Sequence, residues 1–388
     1  MNTTRGWRTS AALLVAGAAA LTGCSAEGAG GSDDTYKIGM LAALSGPAAQ
    51  TGQHQRDGAQ AAVDAINEAG GVNGRKLKLV VRDDAGNPNT AVSGFNELVR
   101  DDAIVGIFGS TFGSATLAVK PLLDRNEIPV IAPNTTHEIT NPSSEWLFRN
   151  IISAEGEVEA AVELARENGI EKIAVLHSTD AYGSQGGDLL KNSGLDVVAV
   201  EEMESDATDV TTQLTKIKAA KPDALFLWAI TPGAGLALKN AGQVGLDVPI
   251  ISGVAGPTAG NITAAGQSSA LSRWLNVGLI DPENPLPRQE EAIENLKAAQ
   301  PDYAPDVYSV TGYSGIELFA EALEAAGEDA DRSAIRDAIE SIQGLDTVSG
   351  VYSFAADNHD GAGIDSVVWL AVENDTYVRT DDPAALLR

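Results

Sequence analysis

The chain has 388 residues, with 54 acidic against 26 basic side chains, a net charge of −28 and one cysteine. Such an excess of acid excludes a nucleic-acid partner, because a phosphate backbone needs a basic face. A single thiol likewise excludes disulfide frameworks and metal sites built on clustered cysteines. His54, His137, His177 and His359 are too scattered to suggest a metal centre. The length exceeds the roughly 250–300 residues at which one core stops growing, so two domains are expected.

Residues 1–23 read as a secretory leader: Arg5 and Arg8 form a positive start, 11–21 is apolar, and Leu21-Thr22-Gly23-Cys24 has the pattern of a lipoprotein cleavage site. Cys24 is then the lipid attachment point and 24–35 a flexible tether. The apolar run falls short of the about 18 residues that a membrane span requires. An extracytoplasmic protein held at the cell membrane through Cys24 is expected.

From Tyr36 the pattern alternates. Residues 37–43 form a buried strand, and Ala59, Ala62, Val63 and Ile66 share one face of a helix that stops at Gly70-Gly71. Strands follow at 77–82, 104–108 and 129–132, with a helix carrying Val92, Phe95 and Val99 inward and another starting near Gly113. A second series opens after Ile151-Ile152-Ser153-Ala154, with Val158, Ala161, Val162 and Ala165 on a helix closed by Asn168-Gly169. Its strands are 172–177, 197–200, 224–230 and 249–252, with helices around Val210, Leu214 and Ile217 and over 233–244. Alternation of this kind predicts an α/β fold with parallel sheets in two similar lobes. The final 110 or so residues, with terminal strands at 351–354 and 366–372, complete both lobes.

Several segments resemble one family. Ala43-Leu44-Ser45-Gly46-Pro47, the run 65–77, Asp83-Asp84 with Asn87-Pro88, Ile131-Ala132-Pro133, Tyr182-Gly183 and 241–246 are similar, in order, to the leucine/isoleucine/valine-binding proteins, solute-binding proteins of branched-chain amino-acid ABC importers. The resemblance implies two Rossmann-like lobes joined by three hinge crossovers, the type I periplasmic-binding-protein fold, with ligand in the cleft between lobes. Lobe I is then 36–153 plus 282–354, and lobe II 154–281 plus 355–388. It also implies a small-molecule ligand, an amino acid or organic carboxylate, and an ABC permease as partner, with no cofactor.

Ser110 and Thr111 follow the strand 104–108, and Asn134-Thr135-Thr136 follow 129–132. Open α/β sheets bind ligands at the carboxyl ends of strands, and helix starts favour anions. The resemblance puts Ser110 and Thr136 on a ligand carboxylate, Asn134 beside them through its backbone, and Tyr182 over the ligand. Trp228 and Thr231 end the strand 224–230 and are expected at the same cleft, although an aromatic on a buried strand also serves as core. Amino-acid-binding members of the family carry an acid after the strand 249–252 to meet the ligand ammonium. This chain has Gly253-Val254-Ala255-Gly256-Pro257 there, which favours a carboxylic acid without an α-amino group unless Asp180 or Glu155 supplies the charge. Thr51 and Ile230-Thr231 also stand where the family often has tyrosine.

An enzyme is not expected: GxGxxG at a helix start, P-loop, HExxH and GxSxG motifs are absent. His177 beside Ser178 is the one nucleophile–base candidate, and adjacent residues at a strand end point apart. A lipoprotein that presents its ligand state to a membrane receptor is the alternative on the same fold.

Overall fold

The computed structural model describes residues 35–46, 49–302 and 304–388. The expected leader, Cys24 as the expected lipid attachment point, and all of the expected tether except Thr35 lie outside the described residues.

The strands are β1 (Thr35–Ala42), β2 (Lys76–Asp83), β3 (Ile104–Phe108), β4 (Val130–Ala132), β5 (Leu147–Arg149), β6 (Lys172–Ser178), β7 (Asp196–Met203), β8 (Ala224–Trp228), β9 (Ile250–Ser252), β10 (Trp274–Gly278), β11 (Leu345–Thr347), β12 (Gly350–Tyr352), β13 (Val368–Glu373) and β14 (Thr376–Arg379). They form a five-stranded sheet in the order β2-β1-β3-β4-β5, a seven-stranded sheet in the order β14-β13-β10-β9-β8-β6-β7, and the hairpin β11-β12. The first sheet is parallel throughout. The second repeats that order in parallel from β7 to β10, and β13 and β14 add an antiparallel edge. Each sheet therefore has a switch point, β1/β3 in one and β6/β8 in the other, where loops diverge and leave a crevice at the strand ends.

The strands form where the sequence is apolar without alternation, as in β3 and β8, because helices cover both sheet faces. Of the expected helix faces, Ala59, Ala62 and Val63 are buried on Ala49–Glu68 with Ile66 half-buried against the same core, and Val158, Ala161, Val162 and Ala165 are buried on Ala154–Glu167. Asn87, Ser153, Asp180 and Asp306 cap helices by accepting first-turn amides. Helix Val307–Ala326 lies against Ala49–Glu68 at glycine distance: a Cβ on Gly58 would strike the Ser309 carbonyl, and one on Gly312 the Gln55 carbonyl.

The chain passes between the sheets at 150–153, 279–289 and 353–367. Buried Gln289 ties the second passage to the β11-β12 hairpin, donating to the Leu279 carbonyl (3.0 Å) within the passage and to the Val348 carbonyl (2.7 Å) in the hairpin turn. One apolar core, containing Tyr36, Ile38, Ile152, Val158, Val175 and Phe226, runs continuously from one lobe into the other. Among the described residues no helix is long and apolar enough to cross a membrane, and no cluster of His, Cys, Asp and Glu is fit to hold a metal.

Candidate functional site

A cavity of about 290 Å³ opens where the carboxyl ends of the two sheets meet. Lobe I supplies Thr111 to Ser114 after β3, Pro133 to Thr136 after β4, and Val307, Tyr308 and Thr311 from the long helix; lobe II supplies Asp180 to Tyr182 after β6, Ile230 after β8, and Val254 and Ala255 after β9. Of the expected ligand residues, Thr111, Asn134, Thr135, Thr136 and Tyr182 come together here.

Three do not. Ser110 is fully buried, and its hydroxyl donates to Asp84 Oδ2 at 2.5 Å, where burial pushes the carboxyl up and the serine opposes that shift. Its hydroxyl is spent on a buried acid rather than offered to a ligand. Trp228 is fully buried core, its indole against Gly186 and Gly253, because β8 ends there with the ring turned into the helix layer. Two residues on, Ile230 reaches the cavity while Thr231 turns the other way, bonded to the Thr258 hydroxyl at 2.6 Å. Thr231 lines a separate space of about 450 Å³ with Thr51, Asp306 and Tyr377.

The polar lobe I wall is braced from behind. The Asn134 side chain donates to the carbonyls of Ser110 (3.2 Å) and Thr111 (3.1 Å) and accepts from Thr116 Oγ1 (2.8 Å), so this amide fixes one loop against the other. Thr111 accepts from the Ala43 amide and donates to Gln55. Arg149, fully buried at the end of β5, donates to the carbonyls of Asn134 (2.6 Å) and Thr136 (3.0 Å), to Thr140 Oγ1 (2.7 Å) and, through Nε, to Asp360 Oδ1 (2.8 Å). Burial pushes its guanidinium pKa down against the opposing pull of Asp360.

On the wall so held, the hydroxyls of Ser114, Thr135, Thr136 and Tyr308 make no hydrogen bond among the described residues. Gly113 leaves room for the Thr136 hydroxyl, which a Cβ would strike. Helix Gly113–Val119 begins without a side-chain cap; its Ala115 amide turns back to the Phe112 carbonyl, which leaves the Gly113 and Ser114 amides for an acceptor. The site thus offers uncommitted donors on lobe I, facing apolar Ile230, Val254 and Ala255 on lobe II.

Glu157 was missed in the sequence. Completely buried, it accepts from the Val254 amide (2.9 Å) and the Tyr182 hydroxyl (3.2 Å), and burial pushes it up to about 8. Its position was readable, since 157, 161 and 165 lie on one helical face and the latter two are apolar. Asp180 lines the cavity but its carboxylate caps Gly183 (3.0 Å) and takes the hydroxyls of Ser178 and Ser205. Glu155 pairs with His137 away from the cavity. His177 lies with Nδ1 at the Ser178 carbonyl, while the Ser178 hydroxyl serves Asp180, so no bond joins base to nucleophile. Tyr308 and Thr311 were also missed, because nothing in chain order shows that their helix begins at the cleft.

Comparison with known proteins gives the same picture. Residues 35–372 match the family described as periplasmic binding protein. The leucine-, isoleucine-, valine-, threonine- and alanine-binding protein of Pseudomonas aeruginosa is 31% identical over 79% of this chain and 82% of its own length. A Leu/Ile/Val-binding protein homolog of Brucella melitensis is 26% identical over 82% of this chain and 86% of its own. Among solved structures, a type 1 periplasmic binding protein from Bordetella pertussis has the same fold, with a TM-score of 0.78 at 24% identity over 89% of this chain and 99% of the other. So has a branched-chain amino acid transporter substrate-binding protein from Streptococcus pneumoniae in complex with isoleucine, with a TM-score of 0.78 at 22% identity over 89% of this chain and all of the other. On its two repeated sheets, its interlobe cavity and these matches, the chain belongs to the periplasmic binding protein family, among the branched-chain amino-acid binding proteins.

Proposed function

We propose that this chain is the extracytoplasmic solute-binding protein of an ABC importer, and that it captures a small carboxylate-bearing ligand, an amino acid or related organic acid, for delivery to a permease. The observation that carries the reading is the pairing of uncommitted hydroxyls on Thr135 and Thr136 with an apolar wall across one small cavity at the sheet ends. Hydroxyls and free amides suit a carboxylate, and the apolar wall suits an aliphatic group. The relatives named for leucine, isoleucine and valine support an amino acid. Thr111 and Tyr182 complete the contact set, with Asn134 and Arg149 behind it as positioning residues. Lobe I is assigned to 36–153 plus 282–354 and lobe II to 154–281 plus 355–388, closing about the three passages between them.

A thermal-shift screen of the protein against amino acids, aromatic acids and short carboxylates tests the reading. A ligand at 100 times its Kd adds about 2.7 kcal/mol to stability. A shift with one of these classes and none with sugars or bases is expected; no shift with any amino or organic acid contradicts the reading. Lipid anchoring at Cys24 predicts membrane partitioning that Cys24→Ala abolishes, and a variant that stays with the membrane refutes it.

A further inference from the structure

Asn150, Ser314, Ser349 and Tyr352 are fully buried, and none of them lines either cavity. Their bonds close a ring. Asn150 Nδ2 donates to Ser314 Oγ (3.1 Å), Ser314 Oγ lies 2.6 Å from Ser349 Oγ, Ser349 Oγ lies 2.8 Å from the Tyr352 hydroxyl, and that hydroxyl donates to the Asn150 carbonyl (2.8 Å). Asn150 Nδ2 also donates to the Thr311 carbonyl (2.8 Å), while its Oδ1 has no partner among the described residues. A buried polar network whose members satisfy one another holds its parts in one arrangement, and removing one member unpairs its neighbours.

The ring sits where the chain crosses between the lobes. Asn150 opens the first passage, Tyr352 directly precedes the third, and Ser349 shares the hairpin turn with Val348, whose carbonyl takes Gln289 from the end of the second (2.7 Å). Helix Val307–Ala326 backs the ring with three residues at helical spacing: Thr311 at the ligand cavity, Ser314 in the ring, and Glu317, whose Oε2 accepts the Val348 amide (3.1 Å). Gly350 admits the third passage against the hairpin, because a Cβ there would strike Ser366. The first passage is tied to the ligand wall as well. The Asn150 amide donates to the Ala132 carbonyl (3.1 Å) and the Ala154 amide to the Thr135 carbonyl (2.8 Å), with only Ile151, Ile152 and Ser153 between them. One block therefore joins all three passages to the loop that carries Thr135 and Thr136.

We propose that this ring is the block on which the lobes pivot, and that Asn150, Ser314, Ser349 and Tyr352 are positioning residues that set ligand affinity through closure without touching the ligand. This rests on the solute-binding reading above. While the ring is intact the passages hold one orientation, and little freedom remains to be lost when the lobes close. Opening the ring frees the passages in the ligand-free protein. Closure then has to order more of the chain, and every ligand binds more weakly by the same factor. A residue of the cavity wall acts differently, since it touches one part of the ligand and alters the ranking of ligands.

Tyr352→Phe keeps the packing and removes the hydroxyl that carries two of the ring bonds, and Ser314→Ala removes the other two. Spin labels on cysteines placed at exposed Glu68 in lobe I and Thr212 in lobe II, in a Cys24→Ala background, report the interlobe distance by pulsed electron paramagnetic resonance. Each variant is expected to show a broader distance distribution than wild type without ligand. Calorimetric titration with leucine, isoleucine, 4-methylpentanoate and any further acid that raises Tm in the screen is expected to show a loss of about three- to tenfold, equal for every ligand that binds the wild-type protein. Because both substitutions open the same ring, the double variant should lose little more than either alone. An unchanged distance distribution, wild-type affinity beside a lowered Tm, unequal losses among ligands, or fully additive losses overturns the assignment while leaving the binding function standing. Absence of binding by the wild-type protein to every acid tried overturns the solute-binding reading and the claim on affinity with it, and the distance distributions still decide whether the ring is the pivot.

Discussion

Arg149→Met tests whether the ligand wall is held from behind. The substitution keeps most of the side-chain volume and removes every donor. The carbonyls of Asn134 and Thr136 and the Thr140 hydroxyl then lose charged partners at 2.6, 3.0 and 2.7 Å inside a fully buried pocket. Asp360, 39% exposed, rehydrates and adds little. Leaving two buried carbonyls short of a donor costs about 1–3 kcal/mol each, in line with the roughly 3–5 kcal/mol typical of breaking a buried charged network. At roughly 2 cal/mol/K of unfolding entropy per residue over residues 35–388, that cost lowers Tm by about 4–7 °C if the two lobes unfold as one unit. Differential scanning calorimetry reads the stability, and ligand titration should show weakened binding, because the carbonyls released belong to the loop that presents Thr135 and Thr136. Arg149→Lys keeps the charge without the planar fork and should fall between. A Tm within about 1 °C of wild type, with unchanged affinity, would refute the bracing argument.

Other outcomes follow from the same geometry. Thr136→Val should weaken a carboxylate ligand by the loss of a charge-assisted hydrogen bond, about 1.5–3 kcal/mol, with little change in Tm, whereas Ser110→Ala should lower Tm by unpartnering buried Asp84 and act on affinity only indirectly; the reverse pattern in calorimetry would restore Ser110 to the ligand. Gly253→Ala should destabilise the fold and disturb binding together, since its methyl meets Tyr182 and Glu157, and a variant with wild-type melting and affinity would contradict that packing. Burial pushes Glu317 up to about 7 from an ordinary 4.5, so the folded state holds this proton longer than the unfolded chain; the stability it contributes is full below about 4.5 and is lost as pH rises towards 7. Glu317→Gln should therefore match wild type near pH 4.5 and exceed it at pH 8 by on the order of 2–4 kcal/mol in denaturant titrations; an equal difference at both pH values would refute the shift.

The legible and illegible parts of the molecule differ for physical reasons. Fully buried strands such as Ile104–Phe108 announce themselves by continuous apolar runs, and Gly233–Val244 by its helical face, so both lobes could be read. Loops at strand ends, together with the family resemblance, then pointed to Thr111, Asn134, Thr135, Thr136 and Tyr182, which line the cavity. β5 escaped because three residues carry no period and one of them is a buried arginine; β10 and β14 escaped because their pairing is supplied by distant chain. Ser110 and Thr111 are neighbours with opposite duties, one bonded to Asp84 and one at the cavity, and the two-residue difference between Trp228 and Ile230 decides core against cleft. Such choices depend on which way a loop leaves its strand. Glu157 was hidden for another reason: an acid on an apolar helix face is overlooked when apolar residues alone are counted.

A crystal structure of the protein with the amino acid that gives the largest thermal shift would show which cavity holds the ligand. The ligand carboxylate is expected within hydrogen-bonding distance of the Thr135 and Thr136 hydroxyls, and its side chain against Ile230, Val254 and Ala255 in the cavity of about 290 Å³. A ligand seated instead in the space of about 450 Å³ lined by Thr231 and Tyr377, with the Thr135 and Thr136 hydroxyls untouched, would contradict it.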